Sequence, residues 1–391
     1  MKTLLKNCNI FSGPNADILV EDGIISSIGL FDAADEIIDM SGYAAVLPGI
    51  IDAHMHIVTG DIEYNDRALR SWAQSGVTTV RDLGMGNDRR QHPTEEFLRY
   101  RETIENPQCA HCLTAGRFVA EYHGLNHIMS DGAETGYGVQ TPEDAVKAVN
   151  ELIDMGCDGI KTSVGRGMDG KSPVLTVEKL KAIADTAWER GGWCTAHVLD
   201  SDLVPRLLDA GIPEFAHMPT DHMPDELLDR MVAQGVKVCP TLCTIKAPRP
   251  PMPKGATPPP MPKNMPPMPK VDLDEQEATV VDNTARFIQR GGMVCVGTDT
   301  MRMESQPHVA AMPVREMQLL HRAGLTVAEV IDAATIGGAK FCKIDHLVGS
   351  IVAGKQANII AVKEPIDETF SALSHVEFVM NRGTVIKQPK S

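Results

Sequence analysis

The sequence predicts an α/β protein: a (β/α)8 TIM barrel carrying a small β domain built from both termini. Three observations predict it. Short apolar runs alternate with helical stretches through the middle of the chain, the pattern of a parallel sheet. Residues able to do chemistry stand at the ends of many of those runs. A closed barrel brings such ends around one mouth, whereas an open doubly wound sheet does not. Strand-and-turn patterns also crowd both ends of the chain. At 391 residues there is room for a barrel, typically ~250 residues, and a second unit.

Taken in order, Ala16–Val20, the turn Glu21-Asp22-Gly23 and Ile24–Ile28 read as a hairpin. Eight apolar runs follow, ending near His54, Asp82, Thr114, Lys161, His197, His217, Thr241 and Asp299. Helices are expected over Thr141–Met155, Val177–Arg190, Asp225–Gln234 and Asp274–Arg290. Two gaps are long. Residues 116–140 are expected to form a loop. Residues 247–270 hold 11 of the chain's 26 prolines, which excludes helix and central strand. That stretch reads as a surface loop or as a semi-rigid flap over the mouth. Ala357–Val362 and Val376–Gly383 return to strands and turns. The expected division is residues 1–46 plus 347–391 for the β domain and 47–346 for the barrel.

Apolar residues make up 43% and charged residues 23%, a balance that supports a sizeable core. The net charge of −15 would repel nucleic acid and anionic membrane, so neither is an expected partner. No targeting segment is read at Met1–Ile10, and no window approaches the ~20 apolar residues of a membrane helix. The nine cysteines are odd in number and scattered. Cys157, Cys194, Cys239 and Cys295 sit in apolar runs, as buried thiols in a reducing cytoplasm would. Cys109-Ala110-His111-Cys112 lacks a second Cys pair and is read the same way.

The chemistry starts at His54 and His56. A strand has period two, so both imidazoles project to one side and can grip one cation. Further runs end in His197, His217 and Asp299, and a fourth carries Lys161. Four histidines and a carboxylate converging on one mouth form a ligand set for a borderline metal such as zinc. A charged Lys161 has no lone pair and would be repelled by metal. It is therefore either converted by CO2 to a carbamate that bridges two metals, or turned away onto an acid. Asp82 is expected to orient neighbouring ligands or to cap the next helix.

The run Pro48-Gly49-Ile50-Ile51-Asp52-Ala53-His54-Met55-His56 resembles the signature of the amidohydrolase superfamily. Gly76–Gly84, Gly159-Ile160-Lys161, Ala196-His197, Ala216-His217, Gly297-Thr298-Asp299, Ala333-Ala334-Thr335 and Val348–Asn358 resemble its branch of Xaa-Pro/Xaa-Arg dipeptidases and imidazolonepropionase-related hydrolases. The likeness runs in order through nearly the whole chain. It implies a barrel with a β-sandwich formed from both termini. It also implies two divalent metal ions, zinc by default, with manganese, iron and cobalt as alternatives. His54, His56 and Asp299 would hold the first ion and His197 and His217 the second. Carbamylated Lys161 and a hydroxide would bridge them. Asp299 would be the catalytic acid and base, taking a proton on attack and delivering it to the leaving nitrogen.

The implied function is metal-dependent hydrolysis of a C–N bond in an amide, cyclic amide or small peptide. Lactone hydrolysis, deamination or decarboxylation are alternative uses of such a site. Lys161 favours the binuclear hydrolases over the mononuclear deaminases. A non-enzymatic binding protein would lack ligands that are present here. The resemblance further implies a small-molecule substrate and a homo-oligomer.

His123 tracks the family's substrate histidine, and His127 shares its loop. Tyr122, Arg166 and His222 also lie just past strand ends and are expected to read the substrate; Arg166 and the histidines suit a polar or anionic one. The chain departs from the dipeptidase branch in two runs. Thr162–Gly167 lacks the usual double glycine, and Met218–His222 places His222 near the branch's substrate tyrosine. Dipeptide specificity therefore does not follow from the resemblance.

Overall fold

The computed structural model describes residues 1–58, 61–84, 93–103, 106–124, 136–166, 170–246, 271–301 and 311–389. The proline-rich stretch 247–270 and His127 lie outside them.

The N-terminal hairpin forms where the sequence places it. Asn15–Glu21 pairs antiparallel with Ile24–Gly29. Asp22 and Gly23 both adopt positive φ, 48° and 83°, at the turn. A two-residue turn of that hand matches the twist of the strands it joins. Lys2–Asn9 and Glu36–Asp39 complete a four-stranded sheet. A second four-stranded sheet takes Ala45–Pro48 from the N-terminal part and Ile359–Val362, Phe378–Asn381 and Thr384–Lys387 from the C-terminal part. Leu5, Ile18, Val20 and Ile25 of one sheet pack against Val46, Ile359, Phe378 and Met380 of the other. The two sheets form a β-sandwich, and neither could bury its apolar face without the other.

Between these ends lies the (β/α)8 TIM barrel. Among the described residues its parallel strands are Ile50–His56, Val77–Asp82, His111–Thr114, Gly159–Ser163, Trp193–His197, Glu214–Phe215, Lys237–Val238 and Met293–Val294. The ring closes where Ala53 N donates to Val296 O at 3.0 Å and Thr298 N to His54 O at 3.1 Å. The third and fourth strands meet where Asp158 N donates to Thr114 O at 2.9 Å. Helices such as Pro142–Asp154, Val177–Glu189 and Leu273–Gln289 cover the outside. Their starts are set by side chains: Thr141, Thr176 and Asp272 each accept backbone N–H groups of the first turn. Leu180 and Ile183 are fully buried beneath one helix, each worth ~1.5–3 kcal/mol relative to exposure.

Two features differ from expectation. The stretch 116–140 is not all loop. Phe118–Glu121 pairs parallel with the fourth barrel strand, and Gly136–Val139 pairs parallel with Phe118–Glu121. The apolar run there is too short to stand out in a sequence otherwise rich in turn residues. The last three barrel strands are also short ladders of two residues each. Beyond them Thr241 and Asp299 turn to φ of 52° and 49°. The extended runs therefore end before the residues that carry chemistry, and those residues sit on bent backbone at the mouth.

No described helix is long and apolar enough to cross a membrane. All nine cysteines are buried free thiols, Cys109 and Cys112 included.

Candidate metal centre

The first barrel strand presents His54 and His56 one period apart. Their side chains converge with Asp299, which the eighth strand's extension delivers across the ring closure. His54 Nε2 lies 3.3 Å from His56 Nε2 and 3.3 Å from Asp299 Oδ1, and His56 Nε2 lies 3.2 Å from the same oxygen. Ligand atoms on a tetrahedral zinc at ~2.0–2.1 Å stand ~3.3–3.4 Å apart. The triangle thus has the size a cation would require. Ligand atoms of His54, His217 and Asp299 all lie within 4.8 Å of one another. His217 continues the cluster: its ring is 4.8 Å from that of His54 and 4.6 Å from that of His197.

The other ring nitrogens are already committed. His54 Nδ1 donates to Ala216 O at 2.9 Å, and His56 Nδ1 to Gly84 O at 2.6 Å. His217 Nδ1 lies 2.8 Å from Thr241 Oγ1. A carbonyl only accepts, so Nδ1 carries the proton in His54 and His56. Each Nε2 is left with a lone pair facing the centre.

For His54, His197, His217 and Asp299, electrostatics favour the protonation states that bind metal. Burial pulls the imidazoles of His54 and His197 down to about 3, and Lys161 adds to the effect. His217 is held well below its ordinary value by burial and by the neighbouring His197 and His54. Burial opposes charge on His56 too, but the hydrogen bond and the negative charge of Asp299 together, with Asp82, turn the net direction up, so a cation at His56 competes with a proton. Burial would raise Asp299, yet the histidines around it hold the carboxyl well below the carboxylate range.

The fourth strand brings Lys161 into this group. The register sets Lys161 beside Thr195 and Ser163 beside His197, so Lys161 lies one step deeper in the barrel. The side chain is buried, and its Nζ has no hydrogen-bond partner among the described residues. It is not turned onto an acid, the second option left open above. Burial brings it down to about 7 despite the pull of Asp299.

Asp82 ends the second strand and works on the ligands' backbone. It accepts from Ile57 N and Val58 N, at 2.9 and 3.0 Å, and from Gly84 N at 3.1 Å. It thus holds both the chain leaving His56 and the residue whose carbonyl orients that imidazole. Thr114 Oγ1 donates to it as well.

The residues expected to read the substrate are spread along the rim. The rings of Tyr122 and His123 meet tilted by 60° with centroids 4.0 Å apart, and His123 sits at φ 58°. Arg166 spends its guanidinium on Asp202, at 2.6 and 3.0 Å. His222 is exposed, with Nδ1 3.4 Å from an Arg286 nitrogen. The structure places neither Arg166 nor His222 in contact with the histidine cluster. Reasoning from sequence missed Phe118, whose ring meets that of His56 edge-on at 5.9 Å. It also gave no role to Asp52, Gly84, Thr241 or Thr298. For Asp52 a signal existed: an acid inside an apolar strand must find donors when buried.

Residues 45–388 match the amidohydrolase family. The chain is 25% identical to the imidazolonepropionase of Brevibacillus brevis, over 95% of this chain and 90% of that one. It is 28% identical to an uncharacterized protein of Mycobacterium tuberculosis, and that match spans about half the length of each, 51%. In structure it resembles a Xaa-Pro dipeptidase with bound methionine in the active site: TM-score 0.79 and 22% identity, covering 99% of this chain and 100% of the other. The chain belongs to the amidohydrolase family.

Proposed function

We propose that this chain is a two-metal hydrolase acting on a carbon–nitrogen bond of an amide, cyclic amide or small peptide. One observation carries the reading most. Ligand atoms of His54, His217 and Asp299 lie within 4.8 Å of one another, His56 adjoins His54 and Asp299, the His197 ring adjoins that of His217, and a buried lysine amine nearby has no hydrogen-bond partner among the described residues. An unpaired ammonium is expensive to bury, so the neutral amine is favoured there. A neutral amine can add CO2, releasing a proton and becoming an anionic carbamate.

In this reading His54, His56 and Asp299 hold one divalent cation, zinc by default, and His197 and His217 hold the second. Lys161, as its carbamate, would supply a further anionic ligand. Two cations bound there would bring the pKa of a water toward ~7 and polarise the substrate carbonyl. The protein's own residues do the rest. Asp299, with 21% of its side chain exposed, is ionised and reachable. It accepts a proton at its carboxylate during attack and returns it to the leaving nitrogen. His54, buried completely, serves as a fixed ligand. Tyr122 and His123 contact the substrate from the rim, with Arg166 and His222 farther out past their strand ends. The barrel of residues 47–346 carries the catalysis. The free thiols support a cytoplasmic location.

The test is metal analysis together with activity on a panel of dipeptides, cyclic amides and lactones. About two ions per chain and turnover of a C–N substrate are expected from the two-metal mechanism. A fully loaded protein that opens only lactones would overturn the amide reading. For Lys161, reconstitution should speed up with added bicarbonate. Indifference to bicarbonate, with an unmodified side chain by intact mass, would remove the carbamate.

A further inference from the structure

Asp52 lies two residues before His54 on the first barrel strand and is completely buried. Its two oxygens gather three donors, one from its own strand and two from Thr298 in the segment after the eighth strand. Oδ1 accepts from His54 N at 3.2 Å and from Thr298 N at 3.0 Å. Oδ2 accepts from Thr298 Oγ1 at 2.6 Å. The Thr298 hydroxyl in turn lies 2.7 Å from Thr300 Oγ1. Asp299 stands between these two threonines in a left-handed conformation, φ 49°, which a non-glycine residue adopts only under restraint. Its N–H donates to His54 O at 2.7 Å. Gly297 precedes the group, and a Cβ there would lie 2.2 Å from Cys239 Sγ and 2.8 Å from His54 Cβ. The backbone of the two segments is therefore pressed together at this point, and Asp52 adds side-chain ties to the backbone hydrogen bonds that already join them.

We propose that Asp52 is a positioning residue. It fastens the strand carrying His54 and His56 to the segment carrying Asp299, so that the three ligands of one cation are presented as a unit. The inference rests on the two-metal reading above. Asp52 reaches no substrate; it acts through Thr298 and the backbone of His54. The link is geometric and not a matter of charge. Asn at position 52 can still accept both N–H groups at its oxygen and can donate to Thr298 Oγ1, whose hydroxyl then turns toward Thr300. Ala can do none of this.

The test compares Asp52→Ala, Asp52→Asn and Thr298→Val with the wild-type holoprotein. Zinc retention against dipicolinate is read by metal analysis, and the visible absorption of cobalt-loaded protein reports ligand geometry. Asp52→Ala and Thr298→Val should lose one ion of the two with about 10- to 100-fold weaker affinity and an altered cobalt band. Asp52→Asn should restore most of both. Thermal unfolding of the metal-free proteins is measured alongside. A drop in melting temperature with unchanged zinc retention and cobalt band would reduce Asp52 to a brace of the fold and overturn the proposal. Equal loss in Asp52→Asn and Asp52→Ala would also overturn it, by making charge the cause. Thr298→Val keeps the test decisive if Asp52→Ala does not fold. A wild type that takes up no zinc would instead fail the two-metal reading, before any variant is compared.

Discussion

The barrel buries two long cationic side chains on neighbouring levels, and it treats them in opposite ways. Arg81, near the floor, is fully provided for. It donates to Ala53 O at 2.7 Å, to Phe341 O at 3.2 Å and to Glu214 at 2.5 Å, and it stacks over the Trp193 ring at 4.7 Å. Burial opposes its charge, but Glu214 outweighs burial and keeps it protonated. Lys161, toward the mouth, is buried with no such hydrogen-bond partner among the described residues. The contrast separates a region built for stability from one built for a ligand. A buried charge in a satisfied network locks a structure. A buried amine left without a partner is a cost kept for something that binds.

That comparison can be broken at either end. The largest expected effect is on the mouth side. Asp299→Asn should lower turnover by about 10²–10⁴-fold with the fold retained, as read by steady-state kinetics and circular dichroism. Near-normal turnover would remove Asp299 from the proton path. On the floor, Glu214→Gln or Arg81→Met should cost about 3–5 kcal/mol of stability, because each leaves an uncompensated partner buried. Denaturant unfolding measures this, and the number of bound metals should not change. Metal loss in these variants would blur the division between floor and mouth.

Lys161→Met sharpens the contrast. Removing a partnerless buried amine should stabilise the metal-free protein by about 1–3 kcal/mol while abolishing binding of the metal pair. Destabilisation would mean that Lys161 is satisfied in the resting protein. The smallest effect is on pH dependence. Lys161 is lowered from 10.5 to about 7 in the folded chain. Between those values the unfolded chain binds more protons, so stability of the metal-free wild type should rise with pH over that window and Lys161→Met should rise less. Below the ordinary histidine value the sign is again that of depressed bases. His54 and His197 fall from 6.5 to about 3. Acid titrates the unfolded state first, and stability should drop as pH falls through that range. A flat profile in both windows would contradict the burial of these groups.

Particular residues show how much was legible beforehand. His54 and His56 could be read because a strand's period of two puts them on one side, whatever surrounds them. The hairpin at Asp22-Gly23 and the helix start at Thr141 could be read because turn and cap chemistry is local. The first five strand ends could be read because each run stops at or near a polar residue, whereas the last three strands stop at Phe215, Val238 and Val294, ahead of His217, Thr241 and Asp299. Phe118 could not, since nothing local says that its ring will lie against His56. Arg166 and His222 were placed correctly past strand ends, but their partners Asp202 and Arg286 come from elsewhere in the chain.

By itself, then, the order of residues determined the elements, the alternation that makes a barrel, and the set of side chains able to bind a cation. These depend on periodicity, turn chemistry and residue type, all of which act over a few neighbours. Only the tertiary structure decided which nitrogens of His54 and His56 face the centre, that among the described residues Lys161 Nζ has no hydrogen-bond partner while Arg81 has Glu214, and that Asp52 bonds Thr298, 246 positions away. Those outcomes depend on which backbone carbonyls, hydroxyls and carboxylates the closed barrel brings within ~3 Å, the reach of a hydrogen bond.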